Sequence, residues 1–178
     1  MRGIKEAFVA ICRRYGGRVE DSTCFIPLKY LYYALDEFGK EVERERLYSI
    51  GAPLLRFVGE ETEPRGTRIV NVQVIPHGRE ADIRVWLSKH VYDRLYKTFR
   101  KEEGSAEGTY SINLENEYVL SAQGKAEASW RDLGYEVSRL ISDLSIQTTR
   151  VADVDDRSWR WFKKKVEESR DWWELTRR

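Results

Sequence analysis

No apolar run in this chain approaches the roughly 18–20 residues that a membrane-spanning helix needs. With 34% charged residues and a mean hydropathy of −0.63, no membrane association is expected. The start, Met1 to Glu6, lacks the apolar stretch of a signal peptide, so a cytoplasmic location is expected. Cysteine is confined to Cys12 and Cys24, with no CxxC pair, and histidine to His77 and His90. That supply is too small for a zinc site. Cys12 falls on an apolar helix face, so the expectation is two reduced thiols in or near the core. A disulfide between them stays open, because heat-adapted cytosol tolerates such bonds.

Glycine-rich phosphate loops are absent too. Neither GxGxxG nor GxxxxGK[ST] occurs, which excludes dinucleotide-binding and P-loop readings. Neither histidine lies beside a Ser or Cys in a nucleophile motif. No enzymatic activity, cofactor or metal is expected. The formal net charge is only +1, so any case for a polyanionic partner must rest on local charge. Met, Asn and Gln are scarce, and Arg outnumbers Lys by about two to one. That balance predicts a heat-adapted, archaeal source.

What is present is a 41% apolar share in clear periodic patterns. Ile4, Phe8, Ile11, Cys12 and Tyr15 mark one face of a helix over 3–15, stopped by Gly16-Gly17. Pro27 opens a second helix with Leu28, Leu31, Tyr32, Leu35, Phe38 and Val42 as its stripe. The segment between them reads as a loop. Residues 54–58 read as a short strand, and 60–66 as an acidic loop. Val70, Val72 and Val74 alternate with Asn71 and Gln73. Beyond a turn at Pro76-His77-Gly78, Ala81, Ile83, Val85 and Leu87 alternate with Asp82, Arg84 and Trp86, a hairpin pattern. A helix is predicted over 88–101 and a second hairpin over 109–122, ended by Gly124. Helices are predicted over 126–146 and 157–176.

The fold class predicted is α+β. An antiparallel sheet of four to five strands, as two hairpins, packs with N-terminal and C-terminal helices. One domain spans 1–178: a helical hairpin over 3–48, a sheet with an inserted helix over 54–123, and two C-terminal helices over 126–176.

Four features bear on chemistry. From Arg84 to Lys101 there are six basic residues against one acidic. On a helix, Lys89, Lys97, Arg100 and Lys101 would form a cationic half, with Tyr92 and Tyr96 at its seam. Cations that neutralise phosphates beside rings that stack bases are what single-strand binding requires. Second, Asn71, Gln73, Arg84, Trp86, Ser111 and Asn113 should share one sheet face, where amides can meet base edges and the indole can stack. A solvated basic helix and an ordinary outward sheet face are the plainer readings of these two.

Third, the last helix carries four Trp. Trp159, Phe162, Val166 and Trp173 make one stripe. Trp161 and Trp172 lie on another side, near Lys164 and Lys165. Two apolar faces predict a second contact, to a ligand, a protein partner or another copy of the chain. Docking within a single domain is the plainer alternative. Fourth, Asp153, Asp155 and Asp156, with Glu115 and Glu117, could hold Mg²⁺ for a nuclease. Aspartates before a helix are more simply N-caps.

In element order, aromatic content and suspected origin, the chain resembles the ThermoDBP group of archaeal single-stranded DNA-binding proteins. That resemblance implies helices packed round an antiparallel sheet, with an aromatic and basic cleft for the strand. Members of that group also carry a C-terminal leucine zipper. Residues 157–176 depart from that pattern, with Trp in place of a leucine heptad.

The function expected is therefore non-enzymatic binding of single-stranded nucleic acid, most readily DNA, with little sequence preference. Arg84, Lys89, Lys97, Arg100 and Lys101 would meet phosphates, Trp86, Tyr92 and Tyr96 bases, and Asn71 and Gln73 base edges. The alternatives are an adaptor or subunit of a larger archaeal assembly using Trp161, Lys164, Lys165 and Trp172, and a winged-helix duplex-DNA binder.

Overall fold

The computed structural model describes residues 3–50, 54–63, 66–92, 117–144 and 147–150, together with 160 and 164. They belong to two compact units. The first comprises Met1–Glu61, Ile69–Leu87 and Gln123–Ser145, and the second Thr62–Arg68, Ser88–Ala122 and Ile146–Arg178.

The chain begins with helix α1 (Ile4–Arg14). The Glu6 carboxylate accepts a hydrogen bond from the Gly3 N–H at 2.9 Å, satisfying one of the free donors of the first turn. Gly16, at φ +76°, takes the left-handed conformation that lets the chain leave the helix. Its N–H donates to the Arg13 carbonyl, and that of Gly17 to the Cys12 carbonyl.

The segment expected as a loop is a hairpin, β1 (Arg18–Glu20) and β2 (Thr23–Pro27). Its strands are short and its turn is carried by Asp21 at φ +55° rather than by glycine, so the sequence pattern does not signal it. Pro27 stands just before α2 (Leu28–Glu45). After β3 (Ser49–Ile50) comes β4 (Leu55–Glu63), which pairs with β2 in parallel, Cys24 opposite Phe57. Helix α2 supplies the long crossover that parallel neighbours require.

Strands β5 (Gly66–Gly78) and β6 (Glu80–Tyr92) follow, joined through Gly78 at φ +63°. Then come β7 (Glu117–Ser129), a 3₁₀ turn over Trp130–Asp132, α3 (Leu133–Asp143) and β8 (Gln147–Arg150). In the first unit the strand order is β1-β2-β4-β5-β6-β7, with β3 on β5. In the second, β7 pairs with β8 antiparallel, Leu120 opposite Thr148. The class is α+β as expected. The described residues hold eight strands rather than four to five, and one strand pair is parallel.

Three further expectations are corrected. The helix over 88–101 does not begin at Ser88, since Ser88–Tyr92 complete β6; residues 93–101 lie outside the described residues. Ladder bonds along a long strand override a local helical wheel. Second, Glu60–Glu63 is strand rather than acidic loop. Third, the helix over 126–146 is shorter. Residues 126–129 finish β7, α3 covers only Leu133–Asp143, and Gln147–Arg150 is strand.

The core of the first unit is aromatic. Phe8 of α1 meets Phe57 of β4 edge-on, centroids 5.0 Å apart, and Phe38 of α2 at 6.0 Å. Phe38 meets Trp130 at 5.8 Å with perpendicular rings. All four rings are fully buried. Such pairs add roughly 0.5–1.5 kcal/mol each beyond simple burial. The Trp130 indole N–H is satisfied by the Gly78 carbonyl at 2.9 Å, so the ring enters the core without an orphaned donor.

Cys12 and Cys24 form a disulfide between α1 and β2, Cα atoms 5.8 Å apart. The expected pair of reduced thiols is thereby corrected. An apolar helix face argued for burial, which is right, but the register of β2 also sets Cys24 against Cys12. That strand was not foreseen.

Candidate functional site

Strands β4 to β7 have one apolar side. Leu55 and Phe57, Val70, Val72 and Val74, Ala81, Ile83, Val85 and Leu87, and Ala122 and Ala128 are all buried. Side chains alternate along a strand, so the residues between them form the opposite face. On it stand Asn71 and Gln73 of β5, Asp82, Arg84 and Trp86 of β6, and Gln123, Lys125 and Glu127 of β7. The grouping of Asn71, Gln73, Arg84 and Trp86 therefore holds. Ser111 and Asn113 lie outside the described residues.

The Trp86 indole N–H donates to the Gln123 side-chain oxygen at 3.0 Å. Trp86 is half-buried, Gln123 exposed. A depression of about 350 Å³ opens there, lined by Arg84, Trp86, Gln123, Gly124 and Lys125. A second, of about 320 Å³, is lined by Ile75, Asp82, Ile83, Arg84, Lys125, Ala126 and Glu127. Arg84 and Lys125 line both. The Trp86–Gln123 bond joins β6 to β7, and Asp82, Arg84, Lys125 and Glu127 of the same two strands line the second depression together.

This face is electrostatically unusual. Arg84 and Lys125 are exposed, and among the described residues neither has an ion-pair partner. The acids Asp82 and Glu127 line the second depression and are likewise without one. Asp82 and Glu127 share the second depression with the two cations, yet among the described residues no ion pair joins them, so an anion can meet Arg84 and Lys125 without breaking one. The Asn71 Oδ1 atom adds a buried acceptor with no donor.

Why β7 takes part is legible in its packing. A Cβ on Gly124 would overlap the Leu144 side chain and lie 3.0 Å from Leu140 Cδ1. Small residues at 122, 124, 126 and 128 let helix α3 lie against the strand, while the odd positions turn outward. Reading 126–146 as helix hid Lys125 and Glu127 from the candidate site. The signal that could have found them was the alternation of Ala122, Gly124, Ala126 and Ala128 with Gln123, Lys125 and Glu127.

Of the other expected site residues, Lys89 and Tyr92 belong to β6. The helical wheel that grouped them with Tyr96, Lys97, Arg100 and Lys101 does not hold from Ser88 to Tyr92, and the latter four lie outside the described residues. Lys164 is helical and exposed. Trp161, Lys165 and Trp172 lie outside, as do Asp153, Asp155, Asp156 and Glu115. Among the described residues no group of three or more His, Cys, Asp or Glu could hold a metal ion, and no helix is long and apolar enough to cross a membrane.

Comparison with known proteins finds no matching family model, no matching curated protein and no matching solved structure.

Proposed function

We propose that the open face of β5, β6 and β7 binds single-stranded nucleic acid. The observation that carries this reading is the pair Arg84 and Lys125, exposed and in no ion pair among the described residues, lining one depression with the tethered ring of Trp86. A phosphate between the two cations neutralises their mutual repulsion, and a base stacks on the indole. Stacking of this kind contributes about 1–3 kcal/mol per base. Gln123 restricts the ring's rotation and so lowers the ordering cost of binding. Asn71 and Gln73 supply polar groups on the same face. The outline likeness to the ThermoDBP group agrees with this proposal, and no catalytic step is part of it.

The test is a fluorescence-anisotropy titration with labelled single-stranded and duplex oligonucleotides at two salt concentrations. Single strands should bind more tightly than duplex and quench Trp emission, and their affinity should fall as salt rises. Equal or stronger binding of the duplex favours a winged-helix mode instead. No binding of either at low salt rejects the proposal.

A second reading, a protein-interaction subunit, is favoured by one observation. Helices α2 and α3 leave Tyr32, Tyr33 and Tyr135 exposed, the last at 61%. Tyrosine is enriched where proteins meet. A stable oligomer in light scattering that ignores oligonucleotides would select this reading.

A further inference from the structure

Resting on the nucleic-acid reading, we infer that Asp82 and Glu127 give the groove a preference for bases carrying an exocyclic amino group. The second depression joins these two carboxylates to the Arg84 and Lys125 that line the first. A phosphate seated between Arg84 and Lys125 is attracted there and repelled one step further on, at Asp82 and Glu127. The strand's backbone therefore cannot run over the acids. What can approach them is a neutral group rich in donors, since an ionised carboxylate only accepts hydrogen bonds.

Cytosine, adenine and guanine present such donors in their amino groups, and carboxylates read the cytosine N4 amine in other complexes. Thymine has no amine. Its N3–H is flanked by two carbonyl oxygens, which a carboxylate repels. The groove thus divides its work: Trp86 stacks any base, Arg84 and Lys125 take a phosphate, and Asp82 with Glu127 choose the base beyond.

The experiment compares labelled oligodeoxycytidine and oligodeoxythymidine of equal length by anisotropy, at neutral pH and low salt. The wild-type chain should bind the cytidine strand at least about fivefold more tightly, the low end of one good base contact. In Asp82→Asn/Glu127→Gln, which keeps the side-chain shapes, that ratio should fall towards one while affinity for both strands rises. Both residues lie on the solvent side of the sheet, and a thermal melt confirms that the variant folds. Equal wild-type affinity for the two strands, or a ratio unchanged in the variant, overturns the base preference and leaves strand binding standing. Absence of binding by either strand overturns both.

Discussion

Trp86 donates its indole N–H to the Gln123 side-chain oxygen at 3.0 Å, tying β6 to β7 through side chains on the face opposite the buried apolar side. The same bond fixes the ring beside Arg84 and Lys125. Trp86→Ala should weaken single-strand binding by about five- to 150-fold, the loss of one stacking platform. Gln123→Leu should cost less, because the ring remains and the indole N–H can turn to water. Titration of both variants checks this order. Equal losses would mean that orientation, not stacking, is the ring's contribution.

The disulfide gives a stability prediction independent of function. Cys12 and Cys24 are 12 residues apart, and closing a loop of that size restricts the unfolded chain by about 3 kcal/mol. Cys12→Ala/Cys24→Ala should lower unfolding free energy by about that much in a denaturant titration. Both sulfurs are fully buried. A thiol reductant should therefore leave the folded protein unchanged until denaturant is added.

Gly39 sets two effects against each other. Alanine in a helix interior is normally favoured over glycine by about 1 kcal/mol. Here a Cβ would overlap the Trp130 carbonyl oxygen and lie 2.7 Å from Leu133 Cβ. Forcing α2 away from the 3₁₀ turn and α3 should cost about 1–3 kcal/mol or more, so the clash wins. Gly39→Ala should melt below wild type; a higher melting temperature would show that these elements yield easily.

Alkaline pH supplies a fourth test. The hydrogen bond to Asp36, and then its charge, raise the Lys40 ammonium above its ordinary value of 10.5. Burial, then the hydrogen bond to Glu43, raise the Tyr48 phenol above 10.0. Both groups hold their protons more tightly folded than unfolded. Their contribution is fully present below about pH 10 and is lost as pH rises through the folded values. Stability should fall on the alkaline side of about pH 10. Lys40→Met/Tyr48→Phe should flatten that fall.

Much of the fold was readable because two periods are plain in the chain. Ile4, Phe8, Ile11 and Cys12 repeat as a helix, and Val70 to Val74 and Ala81 to Leu87 alternate as strands. All of these bury as their periods require. The failures share a cause. Ser88–Tyr92 and 126–129 contain good helix formers, yet strand pairing and the docking of α3 over Gly124 decide their conformation. Neither force is visible within a short window. The β7 part of the candidate site is not legible in the sequence, because Lys125 and Glu127 acquire meaning only when they line one depression with Arg84 and Asp82.

The most direct test of the account is the salt dependence of single-strand affinity in the wild type and in Arg84→Ala/Lys125→Ala. Each phosphate contact contributes about 0.7 to the slope of log affinity against log salt for single strands. Removing both cations, which share one phosphate, should make the slope shallower by about 0.7 and weaken binding at low salt, with the melting temperature little changed. An unaltered slope in a folded variant would contradict it, since Arg84 and Lys125 would then not be touching the phosphate backbone.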